Sequence, residues 1–330
     1  MTLVTLDEIE AARQRIRGSC VRTPLVVLGG SHPEPPVWLK PESLQPTGAF
    51  KLRGALNAVA LLDPDRRAHG VVTHSSGNHG QAVAYAARAT GITATVLMPE
   101  GSVPRKIDAT RALGAQVLVV PVADRQRACE DWAERTGASV IPPFDDLRVI
   151  AGQGTVGLEI VDDLDDVDTV LVPVGGGGLI SGVAAAVKAR RPQARVIGCE
   201  PELAGDLAEG FAAGQRATWS PERTGRTIAD GLRVSAVGLH NWAHICALVD
   251  DVVTVGEDSI RAAVREIAVR SHLVAEPSGA VTTAAYLEHD SALPAGKTVA
   301  VLSGGNIDPA LFGEILNTCD ETGDMTAGNR

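Results

Sequence analysis

The segment VDTVLVPVGGGGLISGVAAAVKAR, residues 167–190, reads as a strand, a turn and a helix in immediate succession. Its opening run is short, apolar and rich in β-branched residues, the signature of a buried strand. Four residues without side chains follow, and then an alanine-rich run of helical length. Thr169 to Val187 is uncharged for 19 residues and imitates a membrane span, but Pro173 and the four glycines interrupt it. A strand passing straight into a helix is the unit of a doubly wound parallel sheet, whose ligands bind beyond the carboxyl ends of the strands.

The same alternation extends in both directions. Strands are expected at Val71–His74, Thr93–Met98, Gln116–Val120 and Ser139–Ile141, with helices at Asn78–Ala89, Pro104–Leu113 and Asp124–Arg135 between them. A second series has strands at Thr169–Val174, Val196–Glu200, Asp251–Val255 and Thr298–Leu302, again separated by helices. The strands carry few alternating polar positions, as expected of parallel sheets covered on both faces. The fold class is therefore α/β with two doubly wound open sheets. Thr5-Leu6-Asp7-Glu8 is a capping box that opens a helix running to about Arg17. Gly29 to Pro36 reads as a loop between two short strands, the second at Val37–Lys40, and a helix begins near Ala49 and runs to Leu62. The polar tail from Asn317 is expected to fray.

Composition narrows the function. At 330 residues, with 45% hydrophobic and 21% charged, the chain suits a globular protein of roughly two domains. Glycine is abundant, at 35 residues, and aromatics are scarce at 3%, so backbone approaches something closely and few rings can stack on a nucleotide base. A net charge of −10 argues against nucleic acid or an anionic membrane as partner. The cysteines (20, 129, 199, 246 and 319) are odd in number and lack C-x-x-C spacing, which fits reduced cytoplasmic thiols. The charged N-terminus has no apolar core of a signal peptide.

Three strand ends carry turns that could hold a ligand: Ser75-Ser76-Gly77-Asn78-His79-Gly80, Gly175–Gly178, and Ser303-Gly304-Gly305-Asn306. The tetraglycine turn is the strongest. N–H groups at a helix N-terminus form an anion site, and phosphate is the natural guest. A dinucleotide fingerprint needs glycine at 180 or 181, which are Ile180 and Ser181; a P-loop fails because Val183-Ala184 follow Gly182. Lys51, after Phe50 at the start of a helix, could be a desolvated amine able to form a Schiff base, although a solvated lysine has the same local sequence. His240 and His244 are spaced i, i+4 but lack the glutamate of a zincin helix, and read as structural.

Together, Thr47–Ala55, SSGNHGQ at 75–81, AGQGT at 151–155, PVGGGGL at 173–179 and LSGGN at 302–306 resemble the fold type II, tryptophan-synthase-β-like, pyridoxal-phosphate (PLP) enzymes. More narrowly, they resemble the serine/threonine dehydratases and serine racemases. The resemblance spans about residues 20 to 310 and implies an active site between two domains. A small domain of residues 70–146 would be inserted in a large PLP-binding domain of 1–69 and 147–330. It implies that Lys51 carries pyridoxal 5'-phosphate as a Schiff base, and that Gly175, Gly176, Gly177 and Gly178 hold its phosphate. Asn78 would contact the 3'-hydroxyl, Ser303 the pyridine nitrogen, and Phe50 would lie near the ring. Ser75, Ser76, Asn78 and His79 would clasp the substrate carboxylate. Glu200, the carbonyl of Ala204 and Asp206 match a family site for Mg²⁺ or Ca²⁺, whose oxygen ligands suit hard cations.

The implied activity is ammonia-lyase (dehydratase) chemistry on a small β-hydroxy amino acid such as L-threonine or L-serine, in a cytoplasmic homodimer of the short, catabolic type. Ser76 keeps an alternative open, because racemases of the family have serine there as an acid/base, whereas simple dehydratases often have Ala or Gly. The alternatives are a serine racemase with side elimination activity, or a dehydratase of 3-hydroxyaspartate or another substituted serine. Ala49 stands where family members usually carry Ser, and Phe144 where some racemases carry Asn.

Overall fold

The computed structural model describes residues 1–29, 36–289 and 296–317. Its strands are β1 (Val26–Val27), β2 (Val37–Pro41), β3 (Val71–His74), β4 (Ala94–Pro99), β5 (Gln116–Val120), β6 (Ser139–Val140), β7 (Thr169–Pro173), β8 (Arg195–Pro201), β9 (Asp251–Val255) and β10 (Thr298–Leu302). The helices are α1 (Leu6–Ile16), α2 (Lys51–Ala60), α3 (Pro64–Ala68), α4 (Asn78–Thr90), α5 (Pro104–Ala112), α6 (Arg125–Thr136), α7 (Leu147–Asp163), α8 (Gly178–Arg190), α9 (Asp206–Ala213), α10 (Pro221–Thr224), α11 (Leu239–Leu248), α12 (Glu257–Ser271), α13 (Pro277–His289) and α14 (Pro309–Asn317).

Two sheets result, as the strand pattern predicts. The larger runs β1-β2-β10-β7-β8-β9, parallel except for the β1–β2 pair, and the smaller runs β5-β4-β3-β6, parallel throughout. Both faces of each are covered. On the larger sheet, Val264 of α12 and Ala284 of α13 pack on one side, and Val156 of α7 and Val183 of α8 on the other. On the smaller, Leu56 of α2 and Val83 of α4 cover one side, and Cys129 of α6 lies on the other.

This order creates two topological switch points, where successive connections leave in opposite directions. In the larger sheet the chain moves outward from β7 to β8 and β9, while β10 lies on the opposite flank of β7. In the smaller, β4 and β5 lie on one flank of β3 and β6 on the other. The turns after β7, β10, β3 and β6 therefore border the crevices in which such folds bind ligands.

Local details follow the sequence closely. The capping box forms: Thr5 Oγ1 accepts the Glu8 N–H at 3.3 Å, and Glu8 Oε2 accepts the Thr5 N–H at 2.8 Å. The helix expected from Ala49 starts at Lys51 instead, because Ala49 bridges to Gly304 and the Phe50 N–H donates to Ser303 O at 3.0 Å. The run from Thr169 to Val187 forms β7, its turn and most of α8, and no helix among the described residues is long and apolar enough to cross a membrane. Most of the loop at Gly29–Pro36 and the tail beyond Asn317, with Cys319, lie outside the described residues. His244 holds the N-terminal segment: its Nε2 accepts the Val4 N–H at 2.8 Å and its Nδ1 bonds His240 O at 2.7 Å, the structural role expected of it.

The base of α2 rests on a buried charge cluster that the sequence does not announce. Arg53 donates to both oxygens of Glu42, each at 2.7 Å, and to both of Glu159, at 2.7 and 2.9 Å. Lys40 Nζ adds a bond to Glu159 at 2.7 Å. Arg53, Lys40 and Glu42 are at most 1% exposed. Two cations and two carboxylates balance within the core and tie α2 to the end of β2 and to α7.

Candidate active site

Lys51 occupies the first position of α2, with its amine buried and donating to the carbonyl of Pro143 at 2.7 Å. The amine also lies 5.1 Å from the ring centre of Phe50. Burial lowers its pKa to about 8, so a neutral amine is accessible near physiological pH. Pro143 belongs to the segment between β6 and α7, and the next residue, Phe144, packs on the tetraglycine turn. A Cβ at Gly176 would fall inside the Phe144 ring, and one at Gly178 would lie 3.0 Å from its Cβ. The lysine and the glycine turn are thus joined through one short segment.

The tetraglycine turn ends β7 and opens α8. Gly177, with φ +89°, is the N-cap in a backbone region that favours glycine. Ser181 N–H bonds back to Gly177 O at 3.0 Å, which leaves the N–H groups of Gly178, Leu179 and Ile180 without intrahelical acceptors. This cradle fits a phosphate in hydrogen-bonding capacity and dipole sign. With a buried amine nearby, the residues present fit a phosphate-bearing aldehyde cofactor.

The turn after β3 offers a second helix N-terminus. Gln81 N–H reaches Gly77 O at 3.4 Å, so the Asn78, His79 and Gly80 N–H groups at the start of α4 lack intrahelical acceptors. Ser75 and Ser76 lie in this turn, partly exposed, and Ser75 Oγ accepts the Gly77 N–H at 3.2 Å. The His79 ring points elsewhere: it is 3% exposed and bonds Ile141 O at 2.9 Å. Burial, aided by the charge of Lys51, lowers its pKa to about 3 and keeps it neutral. With that side chain committed to the core, the part of His79 that remains to meet a substrate carboxylate is its backbone N–H at the start of α4.

Asn78 joins the two sheets. Its Nδ2 donates to Glu276 Oε1 at 2.7 Å, and its Oδ1 accepts from Asn306 Nδ2 at 2.8 Å. An amide NH₂ has two hydrogens, so one donor remains for a ligand. Ser303, 4% exposed, directly follows β10, and its carbonyl holds Phe50 at the entrance to α2. Glu276, which no motif singled out, is buried and pushed up to about 7, chiefly by burial and then by Asp230. Pro143 and Asn306 also gained their roles only in three dimensions, although Asn306 lies in the LSGGN run.

Glu200, in β8, and Asp206, the first residue of α9, are close enough to repel each other and almost fully buried, with Ala204 between them in sequence. Burial, then repulsion from Asp206, raises Glu200 well above the usual carboxylate range; burial raises Asp206 to about 7. Asp206 Oδ2 has no hydrogen-bond partner, and the two carboxylates would share a cation's field favourably. Glu200 also has a capping role, accepting the N–H groups of Leu207 and Ala208 at 3.3 and 2.8 Å. No group of three or more His, Cys, Asp or Glu side chains forms a metal cluster among the described residues, so a cation here needs carbonyl and water oxygens.

The profile of a family described as "Pyridoxal-phosphate dependent enzyme" matches residues 16–304. The catabolic L-threonine dehydratase TdcB of Escherichia coli is 40% identical over 323 residues, covering 96% of this chain and 97% of that one. Among solved structures, the processed form of threonine deaminase isoform 2 from Solanum lycopersicum is 34% identical with a TM-score of 0.83, covering 95% of this chain and 94% of that one. Serine racemase from Dictyostelium discoideum is similar at 37% identity with a TM-score of 0.85, covering 92% of this chain and 99% of that one.

Proposed function

The chain belongs to the pyridoxal-phosphate-dependent enzyme family, and from that premise we propose that it is an ammonia-lyase converting L-threonine or L-serine to a 2-keto acid and ammonia. The observation that carries the proposal is a buried amine with a lowered pKa, bonded to Pro143 O beside the Phe144 that packs on the tetraglycine turn, together with two helix N-termini, one suited to a phosphate and the other to a carboxylate. The 40% identity to a threonine dehydratase over nearly the whole of both chains supports the substrate.

Lys51 would hold the cofactor covalently, the glycine turn its phosphate, Asn78 its 3'-hydroxyl and Ser303 its ring nitrogen, with Phe50 beside the ring. Once bound, the cofactor supplies an electron sink for bond breaking at the substrate Cα. Ser303 is a neutral partner, which leaves that sink modest and favours elimination over a long-lived carbanion. The N–H groups at the start of α4, with Ser75 and Ser76, bind the substrate carboxylate. Lys51 Nζ, once free, takes the Cα proton; burial keeps a fraction of it unprotonated at neutral pH. The hydroxyl leaves as water and water returns as ammonia is lost, so one amino acid gives one 2-keto acid and one ammonium ion.

The second reading, serine racemase, is favoured by Ser76, a hydroxyl in the carboxylate-binding turn that could hold a proton for the opposite face. A panel of L-threonine, L-serine and 3-hydroxyaspartate, assayed for ammonia, keto acid and inverted enantiomer, separates the readings. Ammonia from threonine or serine is the expected result; no ammonia from any substrate refutes the lyase reading. In Ser76→Ala, inversion is expected to fall at least ~100-fold, within the usual range for an acid/base group, while elimination, which loses only one contact to the carboxylate, falls by about tenfold or less. An equal loss of both activities would contradict the two-face assignment.

We also assign Glu200, the Ala204 carbonyl and Asp206 to a Mg²⁺ or Ca²⁺ ion. Adding the ion to chelator-treated protein is expected to raise Tm by several degrees, and Glu200→Ala to remove that response. A wild type indifferent to both chelator and ion excludes the site. The segregation of the two sheets supports residues 70–146 as a small domain inserted between 1–69 and 147–330. A homodimer is supported by Val21, Leu44 and Val274, apolar yet exposed. A cytoplasmic location is supported by the free state of Cys20, Cys129, Cys199 and Cys246.

A further inference from the structure

The carbonyl of Gly176 faces α11, where two donors meet it: Asn241 Nδ2 at 2.6 Å and the Gly238 N–H at 3.1 Å. In a trans peptide the C=O and the following N–H point in opposite directions. Pinning the Gly176 oxygen toward α11 therefore aims the Gly177 N–H away from α11. Without those donors, the Gly176–Gly177 peptide could rotate and present a partial negative charge to an anion at the turn.

The amide of Asn241 is placed for this task. The residue is fully buried, and its Oδ1 has no hydrogen-bond partner. A buried amide with an unpaired oxygen is destabilising, so its donor side must account for what it contributes. Its orientation is fixed by the acceptor, since a flipped amide would set oxygen against the Gly176 oxygen. The Cβ of Asn241 would also lie 2.9 Å from a Cβ at 177, so helix and turn are in direct contact. The start of α11 is itself anchored, because the Asp145 carboxylate accepts the N–H groups of Leu239 and His240, each at 2.9 Å. Phe144, the neighbour of Asp145, presses on Gly176 from another side.

We propose that Asn241 is a positioning residue of the anion-binding turn: its side-chain amide fixes the Gly176–Gly177 peptide so that the Gly177 N–H faces the cofactor phosphate. The proposal rests on the reading that this turn takes the phosphate, and one experiment tests the two separately. Cofactor-free wild type, Asn241→Ala and Asn241→Asp are titrated with pyridoxal 5'-phosphate and with pyridoxal, which lacks the phosphate, and Kd is read from absorbance or fluorescence.

Wild type is expected to bind the phosphorylated form more tightly. Asn241→Ala should cut that preference about tenfold, the effect of losing one strong hydrogen bond. The near-isosteric Asn241→Asp should cut it further, because a carboxylate cannot donate and adds like charge. Pyridoxal affinity should stay within about twofold in both. A wild type without preference overturns the phosphate reading itself. A preference retained in both variants overturns the role of Asn241, and so does an equal loss of both ligands, which would mark a merely structural residue.

Discussion

Lys51→Met is expected to lower turnover by about 1,000-fold or more and to abolish the borohydride-stable attachment of cofactor to the chain. Both losses come from one amine, which the proposed function uses first to hold the cofactor and then to remove the Cα proton. The structure gives the side chain little other work. Its hydrogen bond is to the Pro143 carbonyl at 2.7 Å, and its pKa of about 8 is set by burial alone.

That environment predicts an opposite effect on the stability of the cofactor-free protein. A lysine at about 8 in the folded state, against an ordinary value of 10.5, binds its proton less tightly when folded than when unfolded. Below pH 8 the burial of an ammonium costs roughly 3 kcal/mol, since each unit is worth ~1.4 kcal/mol. The cost fades as pH rises from 8 to 10.5, where the unfolded chain also loses the proton. Cofactor-free Lys51→Met, with a similar volume and no charge, should therefore melt higher than cofactor-free wild type at pH 7. The gap should narrow by pH 10. A variant that melts lower at pH 7 would mean that the bond to Pro143 outweighs the cost of burying the charge. The same pKa predicts that capture of added cofactor by wild type accelerates about tenfold per unit up to pH 8 and then levels off.

Lys51 was legible in the sequence because its neighbours Thr47 to Ala55 form a contiguous motif. Much of the architecture was legible for the same local reason: a β-branched run followed by glycines and a helical run declares its own type. Sheet order was not, because periodicity gives an element its identity and not its neighbours. Nothing in Thr298–Leu302 says that it lies between β2 and β7, the placement that brings Ser303 to the switch point. The supporting residues of the site were hidden for the same reason. Asn78 meets Glu276 across 198 positions, Lys51 meets Pro143 across 92, and Asn241 meets Gly176 across 65. His79 is a further case: SSGNHGQ marks it as part of the ligand-bearing turn, and only the fold shows that its ring bonds Ile141 O and leaves its backbone N–H at the start of α4.

Arg53→Met is expected to destabilise the protein by about 3–5 kcal/mol, the range for breaking a buried ion pair from one side. At ~2–4 °C per kcal/mol for chains of this order, Tm should fall by roughly 10 °C. The methylene stem is largely kept, so the effect is electrostatic and not a cavity. Glu42 would lose its bonds to the guanidinium and keep only the Thr23 hydroxyl at 2.8 Å and the Gln45 amide at 3.1 Å. Glu159 would keep Lys40. In the wild type, burial works against the charge of Glu159, but Arg53 and then Lys40 outweigh it and hold its pKa below the usual value. A depressed carboxylate contributes stability above its unfolded pKa of about 4.5, and that contribution is lost as pH falls through the folded value. The deficit of Arg53→Met should therefore be largest near neutral pH and shrink toward pH 4.5, as the contribution of Glu159 fades in the wild type. Adding Glu42→Gln to Arg53→Met should recover part of the loss, because removing both charges leaves no buried ion unpaired. A single variant within about 1 kcal/mol of wild type would show that the cluster contributes little net stability. Arg53 lies two residues beyond Lys51 on α2, so the single variant also tests whether anchoring the base of this helix fixes the amine. If it does, kcat should fall in Arg53→Met even at temperatures well below its melting point.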